Sequence, residues 1–394
     1  MKILSIETST DETGVAIVET QKSGQKMRVR VLADVLSSQA HLHSEYGGVY
    51  PMLAKREHAK NLGPLLFKAL TQAGLTMPID APNISKEKMG EIKQILEREP
   101  ELFVNLATLF SQIKKPAIDV IAITHGPGLE PALWVGVNAA KAISLAWNIP
   151  VIPVNHMEGH IIAAIAENSS ESEFELVPPV YPALSLLISG GHTELVLSTS
   201  PQHYERIGKT RDDAVGEAFD KSARLLGLPY PGGPEISKLA QAAREERLEQ
   251  PYSLPRPMLN SNDYDFSFSG LKTAVRNLVQ AIGKPTDEQK KQIAREVEDA
   301  IADVLISKAK AAIEAHAVKT LVVGGGVVAN AHIRVQLEKL VGEYEDVRLF
   351  LPSQELATDN GRMIAFAAAL QTETVQPADL AAHGNLTLDG TKRR

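Results

Sequence analysis

MKILSIETSTDETGVAIV, residues 1–18, decides the fold. Met1–Glu7 alternates apolar and polar, Thr8-Ser9-Thr10-Asp11-Glu12-Thr13-Gly14 is a turn dense in hydroxyls and carboxylates, and Val15–Val18 is apolar again. That pattern reads as a β-hairpin, and a further strand over about Val29–Leu36 follows a Gly/Lys turn. A counterpart opens the second half, where Ala183–Ile188 and Glu194–Ser198 flank Ser189-Gly190-Gly191-His192-Thr193. After each hairpin, short strands alternate with helical stretches. The first half has strand Ile118–Thr124, helix Pro131–Trp147 and strand Val151–Asn155; the second has strand Thr320–Val323, helix Ala331–Val341 and strand Val347–Leu351. The expectation is an α/β protein whose halves duplicate one structural plan, although no repeat is visible in the residues themselves.

At 394 residues the chain has room for two or three domains, and 44% hydrophobic with 23% charged residues is ordinary for a globular protein. No apolar run approaches the ~18 residues of a membrane span. The start leads straight into a strand pattern without a basic leader, so the expected compartment is the cytoplasm. Without cysteine, any metal must be held by histidine and carboxylate. A net charge of −7 argues against wholesale coating of nucleic acid, which would have to be met by a local basic patch or a partner.

His156-Met157-Glu158-Gly159-His160 places two histidines four apart, one helical turn, with Cβ atoms roughly 5–6 Å from each other. Both imidazoles can then reach one metal ion, although a pair of ordinary histidines has the same spacing. Asp359, in Thr358-Asp359-Asn360-Gly361, is either a helix cap or a third ligand; a His–His–carboxylate set suits Fe(II) or Zn(II). Gly190-Gly191 and Gly324-Gly325-Gly326 each follow a strand and suit an anion cradle or a plain tight turn, with Asn330 opening the next helix. Asp11 and Glu12 are candidates for holding a metal or a proton. Asp220 reads as a solvated acid or as a partner for ribose hydroxyls. Met77–Ile118 stands apart, with prolines at its ends (Pro78, Pro82, Pro116) and a helical hairpin over Lys86–Arg98 and Glu101–Ile113. The tail from about Thr372, ending in Lys392-Arg393-Arg394, is expected to be loosely ordered.

Taken together, these loops make the chain resemble the TsaD family, the tRNA threonylcarbamoyladenosine transferases. The matching stretches are IETSTDETG (6–14), EYGGVYP (45–51), GPGL (126–129), NHMEGH (155–160), LISGGHTEL (187–195), DDAVGEAFDKSARLLGLPYPGGP (212–234), DFSFSGLKTAV (265–275), GGGVVAN (324–330) and ATDNGRMIA (357–365). YGGVYP and DFSFSGLKTAV look like the bacterial branch. The resemblance implies an actin/hexokinase/Hsp70-type (ASKHA) fold, with two lobes of RNase H-like topology and an interlobe cleft. It implies lobes of about 1–155 and 156–360, an extra helical insertion over about 78–117, and a C-terminal helix (361–385) returning to the first lobe. The implied activity is transfer of threonylcarbamoyl from threonylcarbamoyl-AMP to N6 of the adenosine 3′ of the anticodon in tRNAs reading ANN codons, releasing AMP. The implied metal ligands are His156, His160 and Asp359, with iron the usual ion and zinc possible. The implied substrate contacts are Leu187, Ile188, Ser189, Gly190, Gly191, Asp220, Gly233 and Asn330, with an adenylate, ATP or AMP in the cleft. The implied partners are tRNA, a TsaB-like paralogue and a TsaE-like ATPase, with a TsaC-type enzyme supplying the adenylate.

The chain departs from the family pattern in three places. Thr10 stands where a cysteine is common, Glu130-Pro131 replaces small residues in GPGLEPAL, and the Met77–Ile118 connection is longer than usual. Asp11 or Glu12 is the candidate for taking the amine proton. Lys55, Arg56, Lys60, Lys209 and Arg211 are candidate phosphate contacts. A metalloprotease and a small-molecule kinase on the same fold are the competing readings. A zincin, however, needs Glu directly after the first histidine, where Met157 stands.

Overall fold

The computed structural model describes residues 1–24, 26–79 and 84–389. Pro82 and Lys392-Arg393-Arg394 therefore lie outside the described residues. The chain is α/β and forms two compact units. One comprises Met1–Ala40, Val49–Pro178 and the described residues from Asp359 on; the other comprises His41–Gly48 and Pro179–Thr358.

In the first unit, β1 (Lys2–Glu7), β2 (Glu12–Ser23) and β3 (Lys26–Ser38) form an antiparallel meander, and β4 (Val120–Gly126) and β5 (Val151–Asn155) run parallel to β1. The five take the order β5-β4-β1-β2-β3, and the hairpin of β6 (Ala166–Ser170) and β7 (Glu173–Leu176) extends the sheet beyond β3. In the second unit, β8 (Ala183–Ile188), β9 (Thr193–Ser200) and β10 (His203–Lys209) form the same meander. Strands β11 (Thr320–Gly324) and β12 (Arg348–Phe350) complete it in parallel, giving β10-β9-β8-β11-β12. Both sheets thus have the RNase H-like order 3-2-1-4-5. The duplication that the two hairpin openings suggested is present in the topology, without support from residue identity.

The first unit's border lies elsewhere than residue 155. β7 pairs with β3, so the chain from His156 to Pro178, with the histidine helix, stays with the first unit. Asp359 and Asn360 also belong to it, because helix Gly361–Ala369 packs on β1 and β2. The segment Met77–Ile118 forms the expected helices, Lys86–Ile95 and Pro100–Gln112. It does not stand apart in packing: Ile92, Leu96, Leu102, Leu106, Phe110 and Ile113 join the first unit's core. The tail departs from the expectation of loose order. Leu380, Ala382 and Leu386 are buried, Val375 bridges Val151, and Asn155 Nδ2 donates to Thr387 O at 3.1 Å. Its apolar residues are too widely spaced to announce a regular element, yet each finds a place in the unit.

Glu130-Pro131 fits its position. Helix Glu130–Trp147 carries the proline at its start and the acid in its first turn, where a missing N–H costs nothing and a negative charge is favoured.

Candidate metal centre

Strand β5 ends at Asn155, whose Oδ1 accepts from the N–H groups of Met157 (2.9 Å) and Glu158 (3.4 Å) and so caps helix His156–Ala164. His156 is therefore the first helical residue and His160 lies one turn on. Their rings meet edge to face with centroids 4.7 Å apart. Between them, Gly159 permits close packing on helix Gly361–Ala369, since a Cβ there would stand 3.1 Å from Ile364 Cδ1. That second helix is capped by Asn360, which accepts from Met363 N–H at 3.0 Å, and Asp359 immediately precedes the cap.

The second helix is pinned to the sheet at the same end. Ser5 Oγ donates to Gly361 O at 2.7 Å. Gly14 of β2 and Gly361 face each other so closely that a Cβ on either would lie 2.7 Å from a backbone nitrogen of the other element. Asp359 is thereby delivered to the histidine pair, with its Oδ1 3.1 Å from His160 Nε2 and 3.5 Å from His156 Nε2. One donor atom from each of His156, His160 and Asp359 lies within 4.8 Å of the others.

Two observations test whether a metal fits. His160 is buried, its Nδ1 makes no hydrogen bond among the described residues, and its Nε2 faces only the Asp359 carboxylate, without the geometry of a hydrogen bond. A buried imidazole left this way is costly unless a ligand completes it. The surroundings are also anionic. Burial lowers the pKa of His156, but the carboxylates of Asp359 and Glu7 outweigh it and carry the group up to about 9. Glu12 is pushed well above the ordinary glutamate value by desolvation and then by Asp11 and Asp359. Two imidazoles ringed by acids suit a divalent cation, which would relieve both strains.

Glu7 was missed in the sequence. Its Oε2 lies 3.2 Å from His156 Nδ1 and accepts from Thr124 Oγ1 at 2.5 Å; its Oε1 accepts from Ser9 N–H at 2.5 Å. A carboxylate behind a ligating imidazole fixes the ring so that the other nitrogen faces the metal. The available signal was a charged residue closing an otherwise apolar strand. His58, in helix Pro51–Gln72, is the other omission. It holds the hydroxyl-rich turn through Thr13 Oγ1 (Nδ1, 2.7 Å) and Thr10 O (Nε2, 3.0 Å). Glu158 Oε2 accepts from Gln371 Nε2 at 2.8 Å.

The expected substrate residues lie in the second unit and are not all alike. Leu187 and Ile188 are fully buried in β8, so only their backbone can meet a ligand. Gly190 and Gly191 are exposed, and a Cβ on either would touch nothing. The turn holding them is closed by Ser189, whose N–H donates to His192 O at 2.9 Å, whose Oγ accepts from His192 N–H at 3.2 Å and whose carbonyl accepts from Gly216 N–H at 3.2 Å. Gly325 joins this place, with a φ of +99° and a notional Cβ 2.4 Å from Ile188 O. Strand ends β8 and β11 and the start of helix Val215–Leu225 thus converge through glycine. Asp220 Oδ1 accepts from Gly232 N–H at 2.7 Å, and Gly233 is in the first turn of the helix that follows. Asn330 is committed to structure: Oδ1 caps Ile333 N–H (2.9 Å) and Nδ2 donates to buried Glu298 (2.6 Å), itself paired with Arg244. Among the basic candidates, Arg211 is held by Asp263 and Asp265, and Lys55 by buried Glu99 at 3.1 Å, so neither offers an unshared charge.

The sheets' duplicated RNase H-like order, with a candidate His–His–carboxylate centre in one unit and glycine turns at the strand ends of the other, defines a two-unit α/β class. Within it, the family model described as "TsaD: tRNA N6-adenosine threonylcarbamoyltransferase" matches residues 30–83 and 102–366, and the chain belongs to that family. The description of that family is of an acyltransferase acting on tRNA, and this chain carries a His–His–Asp group that could hold a metal ion. The unmatched residues 84–101 fall within the expected insertion and include helix Lys86–Ile95.

Two solved structures are also similar. Full-length HypF in a phosphate- and nucleotide-bound form shows 12% identity and a TM-score of 0.49, over 93% of this chain and 46% of its own. HypF of T. kodakarensis shows 15% identity and a TM-score of 0.46, over 70% of this chain and 43% of its own. The chain thus spans less than half the length of either. Among the described residues, no helix is long and apolar enough to cross a membrane.

Proposed function

We propose that this chain transfers threonylcarbamoyl from threonylcarbamoyl-AMP to N6 of the adenosine 3′ of the anticodon, in tRNAs reading codons that begin with A. The observation that carries the reading is the gathering of His156, His160 and Asp359 around one point in a chain of this family. In the reaction the N6–carbonyl bond forms, the carbonyl–phosphate bond of the anhydride breaks, AMP leaves and the amine gives up a proton. Because the donor is already activated, alignment of amine and carbonyl is the main task.

Ligation by His156, His160 and Asp359 suits Fe(II), with Zn(II) the other ion of this donor set, and the bound ion would supply Lewis acidity to donor oxygens. Glu7 keeps His156 oriented. The exposed pair Gly190-Gly191, on which a Cβ would meet nothing, lets a ligand approach the backbone closely and is assigned to the adenylate phosphate, with Leu187 and Ile188 contributing backbone only. Asp220 and Gly233 are assigned to the nucleoside, and Asn330 to holding the helix start beside them. Asp11 or Glu12 takes the amine proton. Glu12 is the better candidate, since its raised pKa brings a carboxylate closer to the basicity that proton transfer needs.

We place the protein in the cytoplasm of a bacterial-type system, with a TsaB-like paralogue, a TsaE-like ATPase and an adenylate from a TsaC-type enzyme. Met157 holds the position where a zincin needs its glutamate base, and a sugar kinase has no use for the histidine pair. The test is transfer from threonylcarbamoyl-AMP to tRNA together with metal content by mass spectrometry. His156→Ala/His160→Ala should lose both metal and transfer; full transfer by a metal-free variant would refute the role of the centre.

A further inference from the structure

Two helices of the second unit, Val215–Leu225 and Ser269–Ile282, pack against each other. The first carries Lys221 and Arg224, three residues apart, and the second carries Lys272 and Arg276, four apart. Both spacings bring side chains to one helix face. With Leu225 and Thr273, these four cations line a cavity of about 210 Å³ in the seam.

Their charges are only half compensated. Asp213 takes Lys221 Nζ at 2.7 Å and Lys272 Nζ at 3.1 Å, and Glu217 takes Lys221 at 2.9 Å. Arg224 and Arg276 are exposed and make no hydrogen bond or ion pair among the described residues. Four cations against two carboxylates leave two positive charges concentrated in one seam of a chain whose net charge is −7. Thr273 Oγ1 already donates to Ser269 O at 3.0 Å, so recognition falls to the cations. Asp213 fixes both lysines in place, while the two guanidinium forks remain free for oxyanions, which they grip in bidentate fashion.

We propose that this seam is a phosphodiester-binding subsite for the backbone of the RNA substrate, with Arg224 and Arg276 as its grips and Asp213 as the residue that positions the lysines. The proposal rests on the reading of tRNA as substrate. It also supplies the local basic patch that an acidic chain needs in order to bind RNA.

The experiment measures binding of unmodified tRNA to the full chain by fluorescence anisotropy across a series of salt concentrations. Each neutralised phosphate contributes about 0.7 to 0.9 to the slope of log K against log salt, so losing two removes about 1.4 to 1.8. Arg224→Gln/Arg276→Gln should flatten the slope by that amount and weaken binding roughly tenfold at moderate salt. Arg224→Lys/Arg276→Lys should restore the slope, which a purely structural role for the arginines would not require. Unchanged slope and affinity in the glutamine variant would overturn the proposal. So would a variant that loses only inorganic phosphate binding and keeps its tRNA affinity. Failure of the wild-type protein to transfer threonylcarbamoyl counts against the proposed function instead, and the salt slope still decides the subsite.

Discussion

Gly361→Ala is the substitution through which the fold and the centre are most tightly linked. The new Cβ would sit 2.7 Å from Ala16 N and 2.9 Å from Val15 C, whereas ordinary contacts begin at about 3.4 Å. Both obstacles are backbone atoms of a central strand, so no side chain can swing away, and the helix must retreat by about 0.7 Å. Overpacking of this kind costs about 1–3 kcal/mol. In a unit of this size each kcal/mol lowers Tm by roughly 2–4 °C, giving a fall of about 2–12 °C. The same retreat strains the bond from Ser5 Oγ to Gly361 O and draws Asp359, two residues upstream, off His156 and His160. Metal sites tolerate only about ±0.2 Å in ligand distance, so affinity should fall at least tenfold. Thermal melts of the metal-free protein and competitive titration with Fe(II) or Zn(II) measure the two effects separately. A variant with wild-type Tm and wild-type metal affinity would refute the claim that this glycine contact sets the position of Asp359.

Further outcomes follow from neighbouring contacts. Glu7→Gln keeps the shape but removes the charge behind His156, and metal affinity measured by competition should drop about 10–100-fold with the fold intact. In chelator, His156 with a folded pKa of about 9, against 6.5 unfolded, contributes stability that is fully present below pH 6.5 and lost as pH rises through 9. The raised pKa of Glu12 acts in the same direction. Urea unfolding of the metal-free protein should therefore show up to about 3 kcal/mol less stability above pH 9 than below 6.5; a flat profile would contradict it. Asn330→Ala removes a helix cap and one partner of buried Glu298, and should cost about 1–2 kcal/mol by denaturant titration even without nucleotide. Unaltered stability would mean that Asn330 acts only on a ligand.

Much of the fold was legible because strand periodicity and turn chemistry are local. The two hairpins around Thr8–Gly14 and Ser189–Thr193 announced themselves by alternation and by glycine or hydroxyl turns, whereas β10, the third strand of the second meander, did not. The pairing of β7 with β3 was not legible, since which edge receives a short hairpin depends on non-local contacts. That pairing moved the unit border past the histidine helix. The buried tail was hidden for a related reason, because isolated apolar residues carry no period.

For the centre, the sequence by itself determined the helical stacking of His156 and His160 and the exclusion of thiolate ligands, both consequences of residue type and spacing, whereas the cap it offered at Asp359 falls on Asn360. Only the tertiary structure decided that Asp359, about two hundred positions away, meets them, and that Glu7 stands behind His156. It likewise decided that Asn330 and Arg211 are occupied by protein partners, while Arg224 and Arg276 have none among the described residues. The reason is physical: spacing along a helix fixes which side chains share a face, but which carboxylate reaches a cation is set by the packing of elements distant in sequence.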